Sequence, residues 1–376
     1  MAGHVVVILG PAPEADPGLL AEVAERESAA LGVAGEVRVA DDAVAFAAEL
    51  DAAGARPGVA VVALPGPDSR ARALIGRGTP FDSRLVWLDL ARADRVPAAD
   101  ATHLHGRGVW GLAWAIRHAV HRTAGAGRRV PYGADPDQYG ELIMPIGVDA
   151  LPGPPAVAML LHGGFYRSIW GADLMDALAV DLARRGFAVW NVEYRRPDLH
   201  GWDATVADVA AAHAALGDLG APLDLGRVAV IGHSAGGQLA LRLAADRWAG
   251  DGGIALGVSL AGLLDLDECD ARELSGGATA GALGGGHDRL PAVYAASSPL
   301  ARVPLGGPQL VVQGAQDDLD LIDFNRRYTR AAEAAGDHVT YLEQPGDHFS
   351  VIDPAAGIWA ATAAEMAARL GVTARG

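Results

Sequence analysis

Three short stretches carry residue types that could do acyl chemistry. The first is Gly232-His233-Ser234-Ala235-Gly236-Gly237. It fits G-x-S-x-G, in which a serine sits on a sharp turn between a strand and a helix. The setting agrees: an apolar run, 228–231, leads into the motif and a helical run, 238–245, follows it. Glycines two before and two after Ser234 let the backbone pass without a Cβ clash. The helix N-terminus beneath favours the negative charge that develops as the serine attacks. In a chain with 49 glycines the bare pattern arises readily by chance, whereas one framed by a strand and a helix is much rarer.

The second stretch, His162-Gly163-Gly164-Phe165-Tyr166, follows the apolar run 156–161 directly. It resembles the HGG motif of esterases, whose loop supplies an oxyanion-binding N–H. That likeness implies donors at the backbone of Gly163, Gly164 and Ala235, with His162 holding the loop. An ordinary glycine turn is the plainer reading, weakened by the nucleophile-type turn downstream. The third stretch is Gly346-Asp347-His348-Phe349, between the strand pattern 339–342 and a closing helix from about 354. His348 therefore stands at the C-terminal end of a strand. His338 stands at the opposite end, and His287 lies in a glycine-rich loop.

Together these motifs resemble the α/β-hydrolases, in which the acid follows the strand after the nucleophile domain by a few residues. Here the strand 310–312 leads into Gln313-Gly314-Ala315-Gln316-Asp317-Asp318. The likeness implies Asp317 as the acid, with Asp318 as its rival and Asp320 and Asp323 further from register. The order Ser234, Asp317, His348 is that of the α/β-hydrolase triad and not of the chymotrypsin or subtilisin type. His348 would take the Ser234 proton, and an acyl-enzyme on Ser234 would follow.

Other chemistries lack their residues. The chain contains no lysine, which removes Schiff-base chemistry, pyridoxal phosphate attachment and the P-loop. The single Cys269 excludes an intrachain disulfide and sits among Asp265, Asp267, Glu268 and Asp270, which disfavour a thiolate. No histidine or cysteine spacing supports a metal site, and His103 with His105 lacks a third ligand. No cofactor is expected. A net charge of −16 disfavours nucleic acid and anionic membranes as partners. No run is long enough to span a bilayer, and 4–9 reads as a buried strand instead of a secretory signal. A cytoplasmic protein acting on a small-molecule acyl substrate is the expectation.

The elements that must position these residues form two α/β units. In the first, strand patterns at 5–9, 36–39, 59–64 and 85–90 alternate with helical patterns at 19–31, 43–53 and 111–122, which implies a small parallel sheet. The Gly/Ala/Arg segment 123–129 reads as a linker. The second unit, 130–376, has strands at 156–161, 188–192, 228–231, 256–260, 310–312 and 339–342.

Within the α/β-hydrolases, residues 130–376 resemble the kynurenine formamidase and related carboxylesterase branch. The likeness rests on Tyr132-Gly133 with Gln138, HGGFY at 162–166, Asn191-Val192-Glu193-Tyr194-Arg195, GHSAGGQLA at 232–240, Ser298-Pro299 and Asp347-His348-Phe349. It implies hydrolysis of a carboxylic ester or an aryl formamide. That family commonly shows HGGYW where this chain has HGGFY. Phe165, Tyr166 and Trp170 are candidates to line the substrate pocket or simply to pack. The glycine-rich segment 265–296 falls where such hydrolases carry a mobile cap. Residues 1–122 are fainter in likeness to type II dehydroquinate dehydratase, a flavodoxin-like fold. The likeness rests on 5–11, 59–66 and Gly108-Val109-Trp110-Gly111-Leu112, but Pro67-Asp68-Ser69-Arg70 stand where that family has its histidine. A catalytically silent domain is implied, used for homo-oligomer assembly or for shaping the entrance. Two other readings stay open: a silent hydrolase-shaped binding module, and a bifunctional protein with a lyase-type first domain.

Overall fold

The apolar run that opens the sequence becomes an interior strand, His4–Leu9 (β1), whose side chains alternate between two cores. Val5, Val7 and Leu9 pack with Leu20, Leu112 and Ile116, while Val6 and Ile8 pack with Phe46 and Leu50 on the other face. Burial on both faces is why the run is continuously apolar. The computed structural model describes residues 3–94, 96, 98, 100–125, 127–147, 153–250 and 253–372. The chain divides into two units, 1–126 and 127–376.

In the first unit, β1 is joined by Ala34–Val39 (β2), Val59–Leu64 (β3), Leu85–Asp89 (β4) and Thr102–His105 (β5) in the order β2-β1-β3-β4-β5, all parallel. The helices are Pro17–Ala30 (α1), Ala43–Gly54 (α2), Ser69–Arg72 (α3) and Gly111–Ala124 (α4). Asp16 and Asp42 cap α1 and α2 through their carboxylates, and Pro17 opens α1 where its missing N–H costs nothing. At the end of β4, buried Asp89 accepts from His103 at 2.9 Å and from Arg72 at 2.8 Å. His103 and His105 thus belong to a strand, β5, whose inner histidine is spent on a carboxylate.

Among the described residues, the second unit holds eight strands in the order β13-β12-β11-β10-β8-β9-β7-β6. They are Arg128–Pro131 (β6), Tyr139–Ile143 (β7), Ala156–Leu161 (β8), Ala188–Val192 (β9), Asp224–His233 (β10), Leu256–Leu260 (β11), Gln309–Gly314 (β12) and Val339–Gln344 (β13). β6 and β7 pair antiparallel, as do β7 and β9; the other pairs are parallel. The helices are Asp176–Arg184 (α5), Pro197–His200 (α6), Trp202–Ala214 (α7), Ala235–Trp248 (α8), Leu266–Ala271 (α9), Leu274–Leu283 (α10), Pro291–Ser297 (α11), Leu319–Ala334 (α12) and Gly357–Arg369 (α13). Among the described residues no helix is long and apolar enough to cross a membrane.

Three stretches take a form that the sequence pattern did not show. The segment 123–129 is not all linker: α4 runs to Ala124, and β6 begins at Arg128. β6 and β7 were not legible in the sequence, because this edge is half-exposed and carries charges in place of an apolar run. Arg129 lies over the Tyr139 ring at 4.1 Å and pairs with Glu141. The stretch 265–296 lies between β11 and β12 and folds as α9, α10 and most of α11. It sends Leu266, Cys269, Leu283 and Tyr294 into the core. Burial first, and the Asp265 carboxylate next, push the Cys269 thiol up.

Candidate active site

At the end of β10 the chain turns directly into α8, and Ser234 occupies the turn with φ 55° and ψ −119°. A non-glycine residue with positive φ is strained and persists only where its surroundings impose it. Here the neighbours impose it. A Cβ on Gly232 would fall on the Gly236 carbonyl, and one on Gly236 would fall on the carbonyls of Leu161 and His162. The two glycines therefore let the turn close on itself and on the end of β8. Ser234 is 2% exposed.

The loop after β8 runs against this turn. A Cβ on Gly163 would stand 2.9 Å from the Ser234 Cβ. Gly164, Phe165 and Tyr166 follow with φ of 113°, 48° and 62°. His162 anchors the loop: its ring contacts the Gly163 carbonyl at 2.8 Å and Glu193 Oε1 at 3.2 Å, and stacks on Tyr194 at 4.3 Å. Glu193 is itself ion-paired with Arg196, whose Nη2 donates to Asp137 at 2.8 Å. All are buried. Burial works against the Glu193 carboxylate, but Arg196 and His162 outweigh it and hold the group well below its usual range.

The ends of β12 and β13 meet on the same edge of the sheet, since all these strands run parallel. His348 Nδ1 lies 2.9 Å from Asp317 Oδ2. Asp317 also accepts from Gln313 Nε2 at 2.9 Å and from the Asp318 N–H at 2.7 Å. Burial raises its pKa, and the bond from His348 with these other donors more than reverses that, so the carboxyl sits below its ordinary value. Asp318 faces elsewhere and caps α12 through the Asp320 N–H. Asp320 and Asp323 are bound to Arg272. Among the described residues no hydrogen bond joins the Ser234 hydroxyl to His348, as is common in unliganded sites.

The pocket candidates separate. Tyr166 is 2% exposed; its hydroxyl donates to Gln238 Oε1 at 3.0 Å and its ring meets Trp202 edge-on. Phe165 and Trp170 stay partly exposed, with Trp170 against Gly164. Several polar residues around the site escaped the sequence reading: Asp137, Arg196, Gln238 and His233. Gln238 is fully buried and bridges Tyr166 to the Ser297 carbonyl at 2.7 Å. A glutamine four residues past the serine, on the inward face of α8, was the available signal. Asp137 and Arg196 lie 59 positions apart, so no local spacing could pair them. Among the described residues, Asp135, Asp137 and His200 bring ligand atoms within 4.8 Å of one another, but Asp137 is already paired with Arg196.

Comparison with known proteins shows the fold of the second unit. The family profile described as "alpha/beta hydrolase fold" matches residues 158–352, just over half of the chain. Among solved structures, one titled bacterial heroin esterase is similar at 25% identity and a TM-score of 0.53, covering 66% of this chain and 84% of that one. Esterase B from Lactobacillus rhamnosis is similar at 20% identity and a TM-score of 0.55, covering 69% of this chain and 92% of that one. A truncated carbohydrate esterase from gut microbiota is similar at 17% identity and a TM-score of 0.55, covering 65% and 95%. The last two likenesses show the fold alone. No curated protein matches the chain.

Proposed function

The chain belongs to the alpha/beta hydrolase fold family, and from that membership we propose that it is a serine hydrolase cleaving a carboxylic ester or an aryl formamide, with the acyl group carried on Ser234. One observation carries the reading. Ser234 is held on a strained strand-to-helix turn, and the hydrogen-bonded pair His348–Asp317 stands at the ends of β13 and β12 on the same sheet edge.

In this reading His348 takes the proton from Ser234 as the Oγ attacks the acyl carbon. Asp317 holds the imidazole by Nδ1, leaving Nε2 for the serine. The negative oxygen is met by backbone N–H groups of Gly163, Gly164 and Ala235, which contribute roughly 2.7–4 kcal/mol each. His348 returns the proton to the leaving alcohol or amine, and water repeats the cycle on the acyl-enzyme. Phe165 and Trp170, the partly exposed aromatics of the Gly163 loop, are the candidates to contact the substrate. The likeness to a protein titled heroin esterase favours an ester over a formamide.

We assign the chemistry to 130–376 and a silent role to the first unit, in a cytoplasmic homo-oligomer. Its strand order is the flavodoxin-type order 2-1-3-4-5. Where such folds bind ligands, at the strand ends, Arg72, Asp89 and His103 satisfy one another.

The test is hydrolysis of p-nitrophenyl acetate beside N-formylkynurenine, for the wild type and Ser234→Ala. Ser234-dependent turnover of the ester alone supports a carboxylesterase, and preference for the formamide an arylformamidase. Labelling of Ser234 by a fluorophosphonate without turnover of either marks a narrow substrate. No label and no turnover leaves the silent binding module.

A further inference from the structure

His233 precedes the nucleophile, and the reaction scheme above gives it no part. Its side chain is 2% exposed, and its Nε2 lies 2.9 Å from the backbone carbonyl oxygen of His348. A carbonyl only accepts, so Nε2 carries the proton. Nδ1 is buried and has no partner among the described residues, so the ring is neutral and spends its one donor on the base's own main chain. The two rings lie 4.7 Å apart, and the Phe349 ring lies 5.9 Å from that of His233 and 5.4 Å from that of His348.

The other bonds of the loop bearing His348 stay within it or reach the loop after β12, as the His348–Asp317 bond does. Asp347 accepts from the Phe349 N–H at 3.0 Å and the Ser350 N–H at 2.8 Å, and the Gly346 carbonyl accepts from the Gln316 N–H at 2.9 Å. None of these bonds reaches β10. The His233 bond does, and it springs from the residue beside Ser234. We infer that His233 is a positioning residue that sets the distance between Ser234 and His348 by clamping the His348 carbonyl to the end of β10. This rests on the serine-hydrolase reading of the same site. The clamp matters because a reacting pair misplaced by 1 Å loses about 100-fold in rate. The charged and titratable groups that face the ring are His348 and Asp317, from beyond β13 and β12, and His162, from the loop after β8.

Three substitutions separate a clamp from simple packing. Glutamine can place an amide N–H where Nε2 stood. Asparagine places its amide near the Nδ1 position and cannot reach. Phenylalanine keeps the volume and has no donor. Steady-state hydrolysis of p-nitrophenyl acetate, the pH profile of kcat/KM and thermal unfolding would be measured for all three beside wild type and Ser234→Ala. The expected result is a kcat about 10- to 100-fold lower for His233→Phe and His233→Asn, with KM within about threefold. The acid limb of the pH profile should shift in these two, and His233→Gln should recover most of the rate. A His233→Phe enzyme with wild-type kcat, or a His233→Gln enzyme as slow as His233→Phe, overturns the inference. Where His233→Phe fails to fold, the Gln and Asn pair decides alone, and equal rates for those two overturn it. Where the wild type takes a fluorophosphonate at Ser234 without turning over the ester, the rate of labelling replaces kcat in these comparisons; a wild type with neither turnover nor label sinks the underlying reading and this inference with it. Normal Ser234-dependent turnover with insensitive His233 variants removes the inference only.

Discussion

Gly163→Ala should lower kcat by two to three orders of magnitude while leaving the fold in place. Gly163 is not among the residues with positive φ, so alanine suits its backbone and the effect comes from contact alone. The added Cβ would stand 2.7 Å from the His233 carbonyl oxygen and 2.9 Å from the Ser234 Cβ, where ordinary contact begins at 3.4 Å. Neither atom can swing aside, since one is backbone and the other is anchored on the strained turn. The loop must therefore retreat by about 0.5–0.7 Å. Oxyanion donors act at about 2.7–3.1 Å from the developing charge, and losing one costs about 2.7–4 kcal/mol, or roughly 10²–10³ in kcat. Overpacking adds about 1–3 kcal/mol of destabilisation, small enough for a folded enzyme. Burst and steady-state kinetics with p-nitrophenyl acetate, with circular dichroism as the control for folding, measure both terms. A folded Gly163→Ala enzyme with kcat within about threefold of wild type would refute the assignment of this loop to the oxyanion.

Asp317→Asn should cost up to about 10⁴ in kcat by upsetting the tautomer and orientation of His348. Asp318→Ala should leave kcat within a few-fold and lower stability by about 1 kcal/mol, as loss of a helix N-cap does; kinetics and denaturation of the two variants check this. Arg196→Met should destabilise the second unit by about 3–5 kcal/mol, because it takes the cation from the buried carboxylates of Glu193 and Asp137, measurable by urea unfolding. Acid should weaken the fold through His233. Burial, with His348 next, pushes its imidazole down to about 3, whereas the unfolded chain takes up that proton near 6.5. Between those values the unfolded state binds more protons, so stability falls with pH by about 1.4 kcal/mol per unit, or about 2 kcal/mol at pH 5. His233→Gln lacks this term, so unfolding of both proteins at pH 7 and pH 5 should show the wild type losing about 2 kcal/mol more than the variant.

The legible parts of the fold were those whose burial is written in short-range pattern. The strand runs at 5–9, 59–64, 156–161 and 228–231 are apolar throughout because both faces are covered. Each closes at a turn whose glycine or proline is local chemistry. β6 and β7 escaped because Arg128, Arg129 and Glu141 give them the composition of a loop, and they become strands only through each other and β9. The pocket aromatics could not be sorted either. Phe165 and Tyr166 are adjacent, yet Tyr166 is committed to Gln238, a residue 72 positions away.

What the sequence by itself determined is the local machinery: a serine between glycines at a strand-to-helix turn, a Gly-Gly loop after a strand, and a histidine after the last strand. Steric demands at a turn are felt within a few residues, so they leave a local signature. What only the tertiary structure decided is partnership. Asp317 and Asp318 are chemically identical neighbours; the family register favours the first, but nothing local to the chain fixes which carboxylate meets the histidine. One meets His348 and the other caps α12, because the β12–β13 register aims one carboxylate across the sheet edge and turns the next toward the helix. The same holds for His233 and the carbonyl of His348, 115 residues apart. Contacts over such separations depend on strand order and loop geometry, which emerge only when the whole sheet has formed.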